Sequence, residues 1–104
     1  MSWWKVGKEA FDVFMNVRET IAFYMFIVEE AIQTAGMAAY MLKKADKIAE
    51  AKQQAQWTID NLINPLLEFC DSPAAAMAYP MNLAYKAFAE AAKKTMEAYL
   101  TLKE

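Results

Sequence analysis

The side chains with the clearest chemical potential in this sequence are carboxylates. Glu29 and Glu30 are adjacent, and Asp60 lies in a later segment. Carboxylate oxygens on neighbouring helices are ligands that Mg²⁺ prefers, which makes these three side chains weak candidates for a metal site. The sequence has no histidine, and Cys70 is its one cysteine. Thiolate zinc sites, nucleophile pairs that need histidine and internal disulfides are therefore excluded.

The two carboxylate segments also match part of a known pattern. Residues 27–33 (IVEEAIQ) and 56–60 (QWTID) resemble the EExxE and later ExxD pattern of MazG-type all-α nucleotide pyrophosphatases. Those small oligomeric proteins hold magnesium between two helices, so the resemblance, which covers about a third of the chain, implies a degenerate pyrophosphatase as an alternative function. Gln33 and Trp57 stand where the family has glutamate. Because two carboxylates are missing, we expect no magnesium or zinc site, no cofactor and no catalytic residue.

The composition is that of one small, mildly acidic domain. The 104 residues carry 11 basic and 13 acidic side chains, which gives a net charge of −2. Proteins that bind nucleic acid directly cluster their basic residues, so direct nucleic-acid binding is disfavoured here. A further alternative function is that of a helical accessory subunit in a nucleic-acid-processing complex. The most basic run alternates with acidic residues: Lys43, Lys44, Lys47 and Lys52 with Asp46 and Glu50.

The longest apolar stretch, residues 20–42, has the length of a membrane-spanning helix. Glu29, Glu30 and Gln33 interrupt it, and each carboxylate would cost about 3 kcal/mol inside a bilayer. The N-terminus lacks the basic and apolar regions of a secretory signal. We therefore expect no membrane span and, by default, a cytoplasmic protein or a component of an assembly.

Few residues in the sequence can break a helix. Two glycines and three prolines, in a chain rich in Ala, Lys, Glu, Leu and Met, favour long helices. We predict a single all-α domain, residues 1–104, folded as a three- or four-helix up-and-down bundle with a long first helix and a proline-broken connector. The first helix ends at Gly36 or, as we favour, near Lys43–Asp46. Asn64–Pro65 and Ser72–Pro73 are each expected to begin a short helix.

Apolar residues at helical spacing predict which face of each helix is buried. We expect roughly 70% helix or more, and no sheet. The predicted core stripe of the first helix is Phe11, Phe14, Ile21, Met25, Val28 and Ile32. The residues of the later helices expected in the same core are Ile48, Ile59, Leu62, Phe88 and Met96.

Phe23, Phe26 and Ile27 lie on the first helix outside this stripe, and the two phenylalanines fall in its polar sector. A bundle of this size buries one face of a helix, so a second surface has to cover these side chains. Either the connector, residues 65–80, folds over them, or they contact a partner or a second copy. We favour the contact with a partner.

Four further residues are candidates for contacts between molecules. Arg18 and Glu29 lie in or beside the core stripe, roughly 16 Å apart along one helix, and a buried charge needs a partner. Arg18 could reach Glu29 of an antiparallel second copy. Alternatively, each side chain extends to solvent at the rim or pairs with a charged residue of its own chain, and we favour this second interpretation. Trp3 and Trp4 could anchor a partner groove or lipid headgroups, or divide between core and rim.

The excluded chemistry and the excess of apolar surface on the first helix predict a non-enzymatic interaction protein. We expect a subunit of a homo-oligomer, filament, shell or larger complex, whose partner is a second copy or a larger protein. The expected interaction residues are Phe23, Phe26, Ile27, Arg18, Glu29, Trp3 and Trp4. Cys70 is expected to be a small buried side chain rather than a nucleophile.

Overall fold

The computed structural model describes residues 3–104, with side chains from residue 5 onward. Helix makes up 87% of the chain, and no strand occurs in this part of it. The predicted all-α bundle with a long first helix is confirmed. The elements are α1 (Trp3–Lys44), α2 (Ile48–Thr58), a π-helical turn (Ile59–Ile63), α3 (Asn64–Cys70), α4 (Pro73–Ala76) and α5 (Met81–Leu100).

A left-handed residue that is not glycine ends α1. Asp46 has a φ angle of 61°. The N–H of Asp46 donates to the Lys43 carbonyl oxygen (3.0 Å), and the N–H of Lys47 donates to that of Leu42 (2.9 Å). These two bonds form a Schellman motif, in which Asp46 takes the position that glycine usually occupies. The later of the two predicted helix ends is confirmed, and Gly36 lies inside α1.

A second helical rod runs from Ile48 to Cys70 and passes through Pro65 without a break. Just before the proline the helix widens into the π-helical turn, where the Asn64 N–H donates to the Ile59 carbonyl oxygen. Proline lacks an N–H, and its ring clashes with the carbonyl four residues back in a regular α-helix; a wider turn accommodates both effects. The predicted helix start at Asn64–Pro65 is confirmed as the start of α3, but the predicted N-cap role of Asn64 is wrong, because its backbone is already helical.

The predicted start at Ser72–Pro73 is confirmed. The Ser72 Oγ accepts a hydrogen bond from the Ala75 N–H (3.3 Å), and the proline takes the first helical position. After this short helix the chain turns into α5, which runs alongside α1 in the same direction. The Lys43 ammonium group of α1 lies 5.7 Å from the centre of the Tyr99 ring, near the end of α5.

One buried cluster forms the core, and α1, the second rod and α5 all contribute to it. Its fully buried alanines, among them Ala39, Ala55 and Ala89, let the helix backbones approach closely. Of the residues predicted to join this core, Ile59 and Met96 are buried, Leu62 and Phe88 pack against the cluster, and Ile48 is half-buried outside it.

The bundle covers only part of α1. This helix has 42 residues, or about 63 Å at 1.5 Å per residue, whereas the 20 residues of α5 span about 30 Å. The described part of the molecule is accordingly 70 Å long and 19 Å wide. The cover ends at Arg18, whose Nη2 donates to the Tyr79 carbonyl oxygen (3.1 Å) just before α5 begins.

The N-terminal part of α1, before Arg18, projects from this bundle. Phe11 is 61% exposed and Phe14 is 43% exposed, so their predicted place in the core is wrong. The rest of the predicted stripe holds, since Met25 and Ile32 are buried and Ile21 and Val28 pack against the core. The physical reason is length: the other helices end before they reach the first four turns of α1.

Candidate interaction surface

An uncovered apolar face runs along the projecting part of α1. At 100° per residue its centre lies on the same side of the helix as Met25 and Ile32, whose face the bundle buries, and its valines extend that side towards one flank. All the residues of this face are exposed. The N-terminal face, as we name it, consists of Val6, Gly7, Ala10, Phe11, Val13, Phe14 and Val17. It continues the core stripe beyond the end of the bundle.

A second apolar surface lies on the opposite side of α1, next to the bundle. Phe23 is 62% exposed, Phe26 is 44% exposed and Ile27 is 50% exposed. The two phenylalanine rings stack, with centroids 6.4 Å apart and an angle of 25° between their planes. We call these three residues the phenylalanine patch.

The connector, the alternative cover for this patch, leaves it exposed. The connector packs on the neighbouring Tyr24, whose ring meets that of Phe69 edge-on at 4.9 Å. Tyr24 lies about 100° around the helix from Phe23, so its contact leaves the patch exposed. The contact of Phe23, Phe26 and Ile27 with a partner or a second copy stays a prediction.

A groove between α1 and α2 begins one helical turn after the patch. It has a volume of about 470 Å³ and is mainly apolar, with Trp57 and Leu62 on one wall. Half of Trp57 is exposed. The wall of the groove on the α1 side is formed by Glu30, Ala31, Thr34, Ala35 and Ala38. Sequence reasoning treated Trp57 only as a departure from a metal pattern and missed it as a surface aromatic, although a tryptophan between Gln56 and Thr58 is a visible signal.

Arg18 and Glu29 both have neighbours within their own chain. Arg18 donates to the Tyr79 carbonyl oxygen, as described above. Glu29 is half-buried near Tyr85, whose pKa is raised first by burial and then by the negative charge of Glu29. Both side chains thus have neighbours in their own chain, and an intermolecular Arg18–Glu29 pairing stays the alternative. Trp3 and Trp4 begin α1, and their side chains lie outside the described residues.

The candidate metal ligands do not converge. Glu30 faces the groove, while Glu29 lies about 100° around α1 from it, towards α5. Asp60 is exposed, and its Oδ1 accepts a hydrogen bond from Gln56 Nε2 (3.0 Å). Within residues 3–104 no group of three or more His, Cys, Asp or Glu side chains could hold a metal ion.

Cys70 is buried in the core, with its Sγ 4.0 Å from the Met25 Sδ. Burial raises the pKa of this thiol, the charge of Asp71 raises it further, and Lys86 opposes the shift. A thiol that stays protonated is a poor nucleophile. The position therefore suits a small core side chain.

The fold and these surfaces describe an elongated all-α bundle whose first helix leaves the N-terminal face and the phenylalanine patch uncovered. No protein-family model, curated protein or solved structure matches this chain. Among the described helices none is both long and apolar enough to cross a membrane.

Proposed function

We propose that this protein is a non-enzymatic structural subunit that works by self-association through α1. The observation that carries the proposal is the exposure of phenylalanine, valine and isoleucine side chains on two sides of that helix. Monomeric proteins rarely expose contiguous apolar areas of more than a few hundred Å², and larger areas mark contacts with other molecules. A larger protein as the partner is the alternative.

The phenylalanine patch supplies enough apolar surface to matter energetically. Burying a phenylalanine side chain fully contributes about 2–3 kcal/mol. Phe23 and Phe26 already lose part of their surface to α1 itself, so about 1–2 kcal/mol each remains available to a contact. Glu19 and Glu30 flank the patch on the same side of α1 and are exposed, which gives it the polar rim that interaction surfaces have.

The placement of the reactive side chains supports a role without catalysis. The carboxylates of Glu29, Glu30 and Asp60 are directed to different surroundings, and Cys70 is enclosed by apolar neighbours. A metal-dependent pyrophosphatase needs its carboxylates around one ion. We therefore propose binding rather than chemistry as the activity.

Native mass spectrometry and light scattering of the untagged chain over a range of concentrations test this proposal. We expect the wild type to form assemblies larger than a monomer. Phe23→Ser/Phe26→Ser should shift the distribution towards smaller species and leave the helix content unchanged, because no core residue is altered. Met37→Ser/Met41→Ser is the matched control, since that equally exposed pair lies on the same side of α1 more than two turns away. A wild type that stays monomeric at high concentration would overturn the proposal.

A further inference from the structure

We infer that the N-terminal face of one copy is covered by the same face of a second copy, with the two projecting helix segments antiparallel about a two-fold axis. The inference rests on the proposed function, because it names the partner for one of the two apolar areas. It assigns the first four turns of α1 to a dimer interface.

The length of the projecting segment favours a second copy as the occupant. Residues 3–17 extend about 22 Å beyond the bundle, and the bundle begins where Arg18 contacts Tyr79. When the segment packs against the same segment of a second copy, about a two-fold axis between Ala10 and Phe11, each segment is covered along its whole length. Each helix start then lies level with Arg18 of the other copy. The contact closes as a symmetric dimer without requiring either bundle to move.

Small and large side chains on the face are complementary in this register. Gly7 and Ala10 leave a shallow depression, and a side-chain atom built at Gly7 would meet nothing within 4 Å. Phe14 of one copy lies opposite Gly7 of the other, so its ring fills that depression, and symmetry repeats the contact. Tyr79 and Leu83, at the bundle end that the partner's helix start would approach, are also exposed.

The distribution of charge favours the same arrangement. The exposed charged side chains of the segment lie on the side of α1 opposite the N-terminal face. They are Lys5, Lys8, Glu9, Asp12 and Glu19. A contact through the apolar face therefore buries none of them. With Arg18 included, three basic and three acidic residues balance, so two segments do not repel each other, and no net positive charge draws the segment to an anionic membrane.

The available area matches that of a specific dimer. The exposed fractions of Val6, Phe11, Val13, Phe14 and Val17 correspond to roughly 400 Å² of apolar surface per copy. About 57% of a typical interface is apolar, so complete burial of this surface would correspond to at most about 700 Å² per partner. This upper bound is close to the roughly 800 Å² per partner of standard interfaces.

The test separates the two surfaces by using the phenylalanine-patch variant as a background. We expect Phe23→Ser/Phe26→Ser to remain a dimer by light scattering, and the addition of Phe11→Ser/Phe14→Ser to halve its mass. Circular dichroism should show both variants folded, since Phe11 and Phe14 lie outside the buried core cluster. If the background assembles and the added changes leave its mass unaltered, the inference fails and the proposed function stands. If the wild type assembles but the background is monomeric, only the patch mediates assembly and the inference fails. If every form, including the wild type, is monomeric, both fail.

Cysteine cross-linking tests the orientation in full-length chains that carry Cys70→Ala. Ala10→Cys lies next to the two-fold axis, so oxidation should link most of the protein into dimers. Asp12→Cys, at the same level on the opposite side of α1, is the matched control and should stay monomeric under denaturing conditions. Val6→Cys should also fail to cross-link, because only parallel helices bring two copies of residue 6 together. Cross-linking through Val6→Cys would overturn the antiparallel arrangement. Flotation of the wild type with phosphatidylserine vesicles, lost in Phe11→Ser/Phe14→Ser, would assign the face to lipid and overturn the inference.

Discussion

Met25 and Phe14 lie on the same side of α1, about three turns apart, and differ in whether the bundle covers them. Met25 is fully buried, whereas Phe14 is 43% exposed. We expect Met25→Ala to lower the free energy of unfolding by about 2–5 kcal/mol, as large-to-small core substitutions do. Phe14→Ala alters a side chain outside the buried core cluster, so its cost in the monomer should be well below that of Met25→Ala. Both changes introduce alanine, which keeps the helix propensity matched.

The assay for this pair is urea unfolding followed by circular dichroism at two protein concentrations, one below and one above the onset of self-association. Association stabilises the native state by mass action. Phe14→Ala should therefore become destabilising relative to the wild type only at the higher concentration. Met25→Ala should have nearly the same cost at both. Equal losses for the two variants at the lower concentration would refute the reasoning, because they would make Phe14 part of the monomer's core.

Three further measurements address α1, the core thiol and the metal candidates. Gly36→Ala should raise the free energy of unfolding by about 1 kcal/mol, because alanine is the better helix former. The added methyl group would lie 3.5 Å from Met96 Cε, which is an ordinary contact. A lower free energy of unfolding in urea would contradict a continuous α1. Because burial raises the pKa of Cys70 above its ordinary value of 9.0, the unfolded thiol ionises first as pH rises, and stability should fall above that pH. Cys70→Ala should lack this part of the stability–pH curve. Calorimetric titration with Mg²⁺, with and without a nucleoside triphosphate, should show no binding; tight binding lost in Glu29→Gln or Asp60→Asn would favour a pyrophosphatase.

The features that the sequence predicts well are local. The Ser72 hydroxyl bonds only to backbone groups three residues away, donating to the Phe69 carbonyl oxygen and accepting from the Ala75 N–H, and it caps α4 as expected. The end of α1 follows from the change of residue types after Lys44. Asn64 failed as a predicted cap because the same Asn-Pro pair can also lie inside a helix, provided that a π-helical turn precedes it. Neighbouring residues do not specify that turn, which depends on how the second rod packs.

The position of Phe11 and Phe14 could not be predicted from periodicity alone. Spacing identifies which face of a helix is apolar, and it gave the buried face of α1 correctly from Ile21 to Ile32. It does not identify what covers the face, since that depends on how far other helices extend along it. A comparison of lengths gives a partial signal: the second rod and α5 each contain about half as many residues as α1. No two helices of that length can cover 42 residues by lying side by side.

The two apolar areas lie on opposite sides of one helix, and this arrangement determines the kind of assembly. A symmetric contact through the N-terminal face alone closes after two copies. If the phenylalanine patch also joins identical copies, each subunit carries two contacts with different two-fold axes. Two copies then cannot satisfy both contacts, and growth continues to an open polymer or a larger ring. If the patch instead binds another protein, the dimer presents two equivalent patches near the ends of its paired helices. A dimer thus follows from one self-contact and a filament or ring from two, and loss of either self-contact reduces such an assembly to dimers.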